Sequence, residues 1–312
     1  MTIATLCGRF PTLPLFYMHI DQPSTASSQC LFSNSFTSHF PLLSLLHTLT
    51  PMSKEIKYTQ QDGIATLRVN RPGARNALNW AAQDQFAAAV AEVKSDTAVR
   101  VLIITGTGDK AFVSGGDLKE LSQHPEREAG ERLNRVMRDA LSQLSELPIP
   151  VIAAVNGDAF GGGCEIMTAC DLRLATSQAR FCFAQVRNAL CTGWGGTGRL
   201  VNLLGQARAL DLLLTSRIFD AQEAQAMGFV QQVVADEEGL ETAVSQLAHA
   251  LIKLPRQALA ASKQLVYAAS QLPVVATNEL ETELFVDLWS EPDHFEALAA
   301  FREKRPPIFG HR

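Results

Sequence analysis

Hydrophobic residues along this chain follow two periods. Ile64-Ala-Thr-Leu-Arg-Val69 is apolar at every second position and runs into Asn70-Arg71-Pro72-Gly73, which predicts a strand closed by a turn. The stretch from Met52 to Asp62 alternates in the same way. Residues 80–94 are alanine-rich with apolar spacings of three and four, the signature of a helix. Residues 99–105 and 151–155 are continuous apolar runs, closed by Gly106 and by Asn156-Gly157, and predict buried parallel strands. Residues 112–117 read as a glycine-containing loop. Residues 133–147 read as a helix stopped by Pro148 and Pro150, 163–169 as the opening of another helix, and 172–175 as a strand. Beyond Gly198 the pattern turns helical over 199–204, 207–215, 221–227, 240–254, 256–269 and 277–288. This rhythm predicts an α/β fold with a largely parallel sheet, followed by a mostly helical C-terminal third. No low-complexity linker separates the two parts, and the sequence shows no internal repeat.

Residues 1–51 break the pattern. Arg9 and Asp21 are their only formally charged side chains, and Ser, Thr, Phe, Leu and Pro dominate without a sustained period. A transit segment is normally rich in arginine, and a secretory signal needs a basic start before a clean apolar core. The expectation is translation starting at Met52, with 1–51 a disordered or untranslated N-terminal extension and organelle import through it left open.

Composition narrows the function. The formal net charge is −5, so no global field draws nucleic acid or an anionic membrane. No run of about 18 apolar residues is present, so no membrane helix is expected. Cys7, Cys30, Cys164, Cys170, Cys182 and Cys191 show no CxxC spacing and no zinc-like cluster with histidine. They read as free core cysteines of a reducing compartment, with a cytoplasmic location and no metal site. His124, His249, His294 and His311 show no pairing pattern and read as surface residues.

Two segments combine glycine density with a following helix: Lys110-Ala-Phe-Val-Ser-Gly-Gly-Asp-Leu118 and Asn156-Gly-Asp-Ala-Phe-Gly-Gly-Gly-Cys-Glu165. Such loops let backbone approach a ligand, and the helix beyond presents free N–H groups at the positive end of its dipole. Two N–H groups aimed at one oxygen make an oxyanion hole. The competing reading of each loop is a tight turn that packs strand on helix. Neither loop is a phosphate-binding Gly-Lys-Ser/Thr loop, and neither has the dinucleotide spacing.

From Asp62 to Arg312 the chain resembles the enoyl-CoA hydratase/isomerase (crotonase) family nearly end to end. The resemblance is carried by Val69-Asn-Arg-Pro72 with Asn76-Ala-Leu-Asn79, by Ala111 to Leu118, and by Pro150-Val-Ile-Ala-Ala-Val-Asn-Gly157. It continues through Gly161-Gly-Gly-Cys-Glu165, Cys170-Asp-Leu-Arg173 and Gly193-Trp-Gly-Gly-Thr-Gly-Arg-Leu200. Ala224-Gln-Ala-Met-Gly-Phe-Val230 and Phe301-Arg-Glu-Lys-Arg-Pro-Pro-Ile-Phe309 complete it. It implies a crotonase-like spiral of ββα units over 52–250 and a helical trimerisation region over 251–312. It further implies homotrimers or dimers of trimers. The implied substrate is an acyl-CoA thioester, with coenzyme A as part of the substrate and no other cofactor. The oxyanion donors carry over to the amides of Gly116 and Gly162, which would hold the thioester oxygen as an enolate forms.

Family hydratases use two glutamates. One carries over to Glu165; at the position of the other stands Gln185, in Phe183-Ala-Gln-Val-Arg187. The proline the family has before the Gly193 turn is Thr192. Glutamine exchanges no proton near neutral pH but can orient water. One-base chemistry through Glu165, as general acid/base, is therefore the expectation. The alternatives are decarboxylation of an ethylmalonyl- or methylmalonyl-type CoA, which the stretch through Thr168-Ala-Cys-Asp171 also resembles, and a non-catalytic scaffold. The plain reading of Glu165 is a first-turn glutamate favouring a helix dipole. Asp117 reads as a second acid or a helix cap, Asp171 as a structural acceptor, and Trp194 as an acyl-pocket wall or core. The CoA-binding candidates are Arg75, Ala77, Ser114, Asp117, Leu118, Trp194 and Lys304, with Arg305 beside the last.

Overall fold

The computed structural model describes residues 54–310; the expectation for 1–51 lies outside the described residues, as do Cys7, Cys30 and His311. The described chain opens with a hairpin of β1 (Ile56–Gln61) and β2 (Ile64–Val69). Its two-residue turn, Asp62-Gly63, has both φ angles positive, at 50° and 79°, which suits Asp-Gly and matches the twist of the strands. Helix α1 (Trp80–Ser95) follows, its first turn capped by the Asn79 side chain, which accepts from the Ala82 N–H at 2.8 Å.

The chain then winds between two sheets. Strand β3 (Val101–Gly106) is followed by β4 (Ala111–Val113), the short helix α2 (Leu118–Leu121) and α3 (Arg127–Glu146). Next come β5 (Val151–Val155), β6 (Asp158–Phe160) and α4 (Gly162–Ala169). After β7 (Leu172–Thr176) and β8 (Arg180–Cys182), a 3-10 turn over Ala184–Asn188 leads to α5 (Gly196–Leu204) and α6 (Gln206–Thr215). Then follow β9 (Phe219–Asp220), α7 (Ala221–Met227), β10 (Gln232–Val234) and α8 (Glu237–Leu251). The last helices are α9 (Arg256–Ala269), α10 (Val274–Trp289) and α11 (Pro292–Glu303).

Six strands form one sheet in the order β1-β2-β3-β5-β7-β10, parallel except for the opening hairpin. Four short strands form a second sheet in the order β4-β6-β8-β9. In each of three successive turns the chain lays one strand in the large sheet and the next in the small one before a helix. This is a mixed α/β spiral of the expected ββα kind, although no sequence repeat announces it. The main core fills the space between the sheets and α1, α3 and α4, with Leu67, Phe86, Ile104, Phe112, Met137, Phe181 and Phe219 all fully buried. On the other face of the large sheet, Leu240, Val244 and Ala248 of α8 pack on Val101, Ile152, Ala154 and Leu174.

Four expectations are corrected. The 112–117 loop begins as strand β4, and an unforeseen helix, α11, follows α10. Cys191 is exposed, unlike the buried Cys164, Cys170 and Cys182, so it does not belong to the core. His294 is half-buried, its ring 4.7 Å from that of Trp289, rather than a surface residue.

Candidate active site

Glu165 lies in α4, a helix whose every residue is buried. Its carboxylate does not serve its own helix. It reaches the loop before α5 and caps that helix instead. Oε2 accepts from the amides of Trp194 (2.8 Å) and Gly196 (2.9 Å). Oε1 accepts from the Gln185 side chain, Nε2 at 2.8 Å, and from the Gly193 amide at 3.3 Å. The dipole reading of the sequence is thus met at a neighbouring helix, α5, whose N-cap Gly195 takes the left-handed conformation at φ 78°. Gly196 has no room for a side chain, since a Cβ there would stand 2.6 Å from Glu165 Cγ.

Two opposing influences set the charge of Glu165. Burial pushes its pKa up; the amides of Gly196 and Trp194, the Gln185 side chain and the Gly193 amide pull it back, leaving it above the ordinary glutamate value. A raised value makes this carboxylate a better proton acceptor than an exposed glutamate. Behind it, Thr168 Oγ1 donates to the Glu165 carbonyl at 2.7 Å and accepts from Arg199 Nε at 3.2 Å. Arg199 also donates to the Trp194 carbonyl at 2.5 Å.

The glycine loops follow β4 and β6, which are neighbours in the small sheet. Gly115 N-terminal to one candidate donor lies against the other, because a Cβ on Gly115 would stand 3.2 Å from the Gly162 nitrogen. Leu78 bridges this loop, its N–H donating to the Gly115 carbonyl at 2.8 Å and its carbonyl accepting from the Asp117 amide at 3.0 Å. That pattern turns the intervening Gly116 amide away from Leu78. Gly162 is the first residue of α4, so its N–H is one of the helix's orphan donors. Trp194, only 4% exposed, lays its ring on Gly162, where a Cβ would come within 2.1 Å of it.

Asp117 is the N-cap of α2, accepting from the Lys119 amide at 3.2 Å. It also pairs with Arg71 at 2.8 Å. Burial alone would raise its pKa, but the Arg71 hydrogen bond and charge and the amides of Lys119 and Glu120 hold it below the ordinary value. Arg71 donates further to the Ala77 carbonyl and pairs with Glu55 at 3.0 Å. It thereby fastens the turn before Leu78 to the loop holding Gly116. Sequence reasoning gave Arg71 no role of its own; its only local sign was the Arg-Pro turn.

The other candidates scatter. Arg75 pairs with the buried Asp158 at 2.6 Å, which also binds Arg180 at 2.7 Å. Ala77 is buried, Ser114 is half-buried beside Gly115, and Leu118 is 57% exposed at the start of α2. Lys304 is exposed at the end of α11, and Arg305 is held by Glu296 and Glu303. No hydrogen bond or ion pair joins Lys304 to the Glu165 site. Asp171 is the structural acceptor the sequence suggested, binding the Val151 amide, Lys263 and the Tyr267 hydroxyl. Beside it a cavity of about 810 Å³ opens between α3, α5 and α9. The Cys170 thiol lining that cavity is pushed up to about 12 by burial, so it stays protonated. Among the described residues no group of three or more His, Cys, Asp or Glu is placed to hold a metal ion.

Known proteins resemble the chain over most of its length. The family profile described as enoyl-CoA hydratase/isomerase matches residues 59–312. A short-chain-enoyl-CoA hydratase of Clostridium acetobutylicum is 38% identical over 245 residues, covering 78% of this chain and 92% of that protein. A mitochondrial methylglutaconyl-CoA hydratase of Mus musculus is 33% identical over 250 residues, covering 79% of each. Among solved structures, an enoyl-CoA hydratase from Bacillus anthracis superposes with a TM-score of 0.79 at 31% identity, covering 83% of this chain and all of that one.

Proposed function

The chain belongs to the enoyl-CoA hydratase/isomerase family, and from that premise we propose that it hydrates a 2-enoyl-CoA thioester through an enolate, with Glu165 as its general acid/base. The observation that carries this reading is the Glu165 carboxylate, buried and held by four donors. In the reading, the thioester oxygen sits between the amides of Gly116 and Gly162. Those amides take up the negative charge that arrives when a nucleophile adds at the β carbon. Losing one such donor costs about 3–4 kcal/mol of barrier in comparable sites. Coenzyme A enters as part of the substrate, and no further cofactor is required. Ala77, Ser114 and Leu118 border the Gly116 loop and are the proposed contacts of the CoA chain; Trp194 backs Gly162. Arg75 is free to join them only by sharing itself with Asp158.

A shift of the double bond needs the same hole and one base, so it belongs to the same reading. Decarboxylation of a malonyl-type CoA needs the hole and a proton donor. The four groups around Glu165 are all donors, a setting for a proton acceptor at rest. Turnover of crotonyl-CoA beside ethylmalonyl-CoA tests this, using protein beginning at Met52. Hydration of crotonyl-CoA is the expected result. Release of CO₂ from ethylmalonyl-CoA without hydration would replace the reading with decarboxylation.

The same family membership underlies a second proposal, that copies of this chain assemble as trimers or paired trimers. Supporting it, Phe285 and Trp289 of α10 and Phe295 and Phe301 of α11 are exposed by 56–84%, a large apolar surface for a lone chain.

A further inference from the structure

Among the described residues, the side-chain amide oxygens of Gln83 and Gln185 are buried without a hydrogen-bond partner. That of Gln185 belongs to the Glu165 site. Gln83 lies elsewhere, in α1, where it interrupts a buried apolar stripe of Ala82, Phe86, Ala89, Val90 and Val93. It is fully buried. Its Nε2 donates to the Leu78 carbonyl at 3.0 Å. Turning the amide over would set its oxygen against that carbonyl, so its orientation is fixed. A buried acceptor left unpaired costs stability, and an apolar residue of the same shape carries no such cost. Nor does the fold need the donor, because the Leu78 carbonyl already accepts from the Asp117 amide at 3.0 Å.

What the Gln83 amide does is local. Leu78 bonds to the residues on either side of Gly116, donating to the Gly115 carbonyl and accepting from Asp117, so the Gly116 N–H points to the opposite side. The bond from Gln83 gives the Leu78 carbonyl its second donor. Both lone pairs are then engaged, which fixes the plane of the peptide on which the loop hangs. Arg71 ties the same loop through the Ala77 carbonyl and Asp117; Gln83 ties it from within the core.

Resting on the acyl-CoA reading above, we infer that Gln83 is a positioning residue: through the Leu78 carbonyl it aims the Gly116 amide at the thioester oxygen, and stability is given up for that aim. The small sheet sets how far apart the two loops stand, and Gln83 sets the direction of one amide. Gln83 touches no substrate. Its effect therefore falls on the enolate, whose charged oxygen the amide serves, rather than on the binding of a neutral acyl-CoA. Stability and turnover then respond to its removal in opposite senses.

The test is Gln83→Met, which keeps the shape and removes both the donor and the unpaired oxygen. Its urea midpoint is expected to equal or exceed that of the parent. With crotonyl-CoA, kcat is expected to fall about tenfold with KM within about twofold. Acetoacetyl-CoA, titrated on the protein by the near-ultraviolet absorbance of its enolate, supplies a readout that a merely structural role would not move. A tenfold loss corresponds to about one pKa unit, so its bound pKa is expected to rise by about that much. Unchanged kcat and unchanged bound pKa overturn the inference. So does a lowered urea midpoint accompanied by a raised KM, which would make Gln83 part of the packing. Gln83→Leu serves where the Met variant does not fold, and failure of both to fold overturns the inference as well. A parent that neither turns over crotonyl-CoA nor binds acetoacetyl-CoA overturns the acyl-CoA reading itself.

Discussion

Replacing Glu165 by glutamine and by alanine separates its chemistry from its structural duty. An amide keeps one oxygen and turns the other into a donor. With that oxygen in the place of Oε2, the Trp194 and Gly196 amides keep their acceptor. The new NH₂ then faces Gln185, which can turn its own amide over and present the Oε1 that lacks a partner. Only the 3.3 Å bond from Gly193 is lost. A bond of this kind contributes about 0.5–1.5 kcal/mol, and burying a neutral group in place of a charge offsets part of it. Glu165→Gln is therefore expected to stay within about 1 kcal/mol of the parent in urea unfolding at neutral pH. Glu165→Ala has no such escape. The buried amides of Trp194 and Gly196 lose their acceptor at about 1–3 kcal/mol each, so a loss of about 2–6 kcal/mol is expected. Hydration of crotonyl-CoA should fall by about 10²–10⁴ in both variants. Equal destabilisation by Gln and Ala would refute the hydrogen-bond reasoning, and unchanged turnover in Glu165→Gln would remove the residue from the chemistry.

Four further outcomes are expected. Because the fold holds the Glu165 pKa above its ordinary 4.5, the native state keeps a proton that the unfolded chain releases. The stability this group contributes is full below 4.5 and is lost as pH rises through the native value, while turnover rises over the same window; a Glu165→Gln variant with an unaltered stability–pH slope would contradict this. Gly196→Ala forces a Cβ to 2.8 Å from Glu165 Oε2 and should cost about 1–3 kcal/mol with a matching loss of activity, read by denaturant melts and rates. Arg71→Met should lower kcat by about tenfold with little change in KM, and Asp117→Asn should follow it; an equal rise in KM would mean that Arg71 binds substrate rather than holding the Gly116 loop. Sedimentation of the parent should give more than one chain per particle, and Phe285→Asp with Phe301→Asp should yield monomer; a monomeric parent at micromolar concentration would rule out the assembly.

Long elements were legible in the sequence because their periods are long enough to read. Ile64–Val69 and Val151–Val155 form strands over the very residues expected, and Ala221–Met227 and Arg256–Ala269 form helices likewise. The small sheet was not legible: its strands hold two or three residues each, too few to display an alternation. Helix α11, which opens at Pro292, was not foreseen. In the site, Glu165 and Gln185 were found through resemblance, and their contact across 20 residues has no local sign. The Arg71–Asp117 tie spans 46 residues and is equally invisible to pattern. Arg75 reads as an unpaired cation in the sequence, and its pairing with Asp158 spans too many residues for pattern to show.

The two glycine loops leave adjacent parallel strands, β4 and β6, on consecutive turns of the spiral. Neighbouring strands stand about 4.8 Å apart because backbone hydrogen bonds set that separation. The distance between the two loops is thus inherited from the sheet as from a ruler, and no side chain has to measure it. Residues around the loops are free to vary for different acyl groups as long as the small sheet keeps its pairing. On the proposed reading, a deletion that slips the register of β4 on β6 would misplace one amide against the other and abolish turnover without touching a side chain of the site.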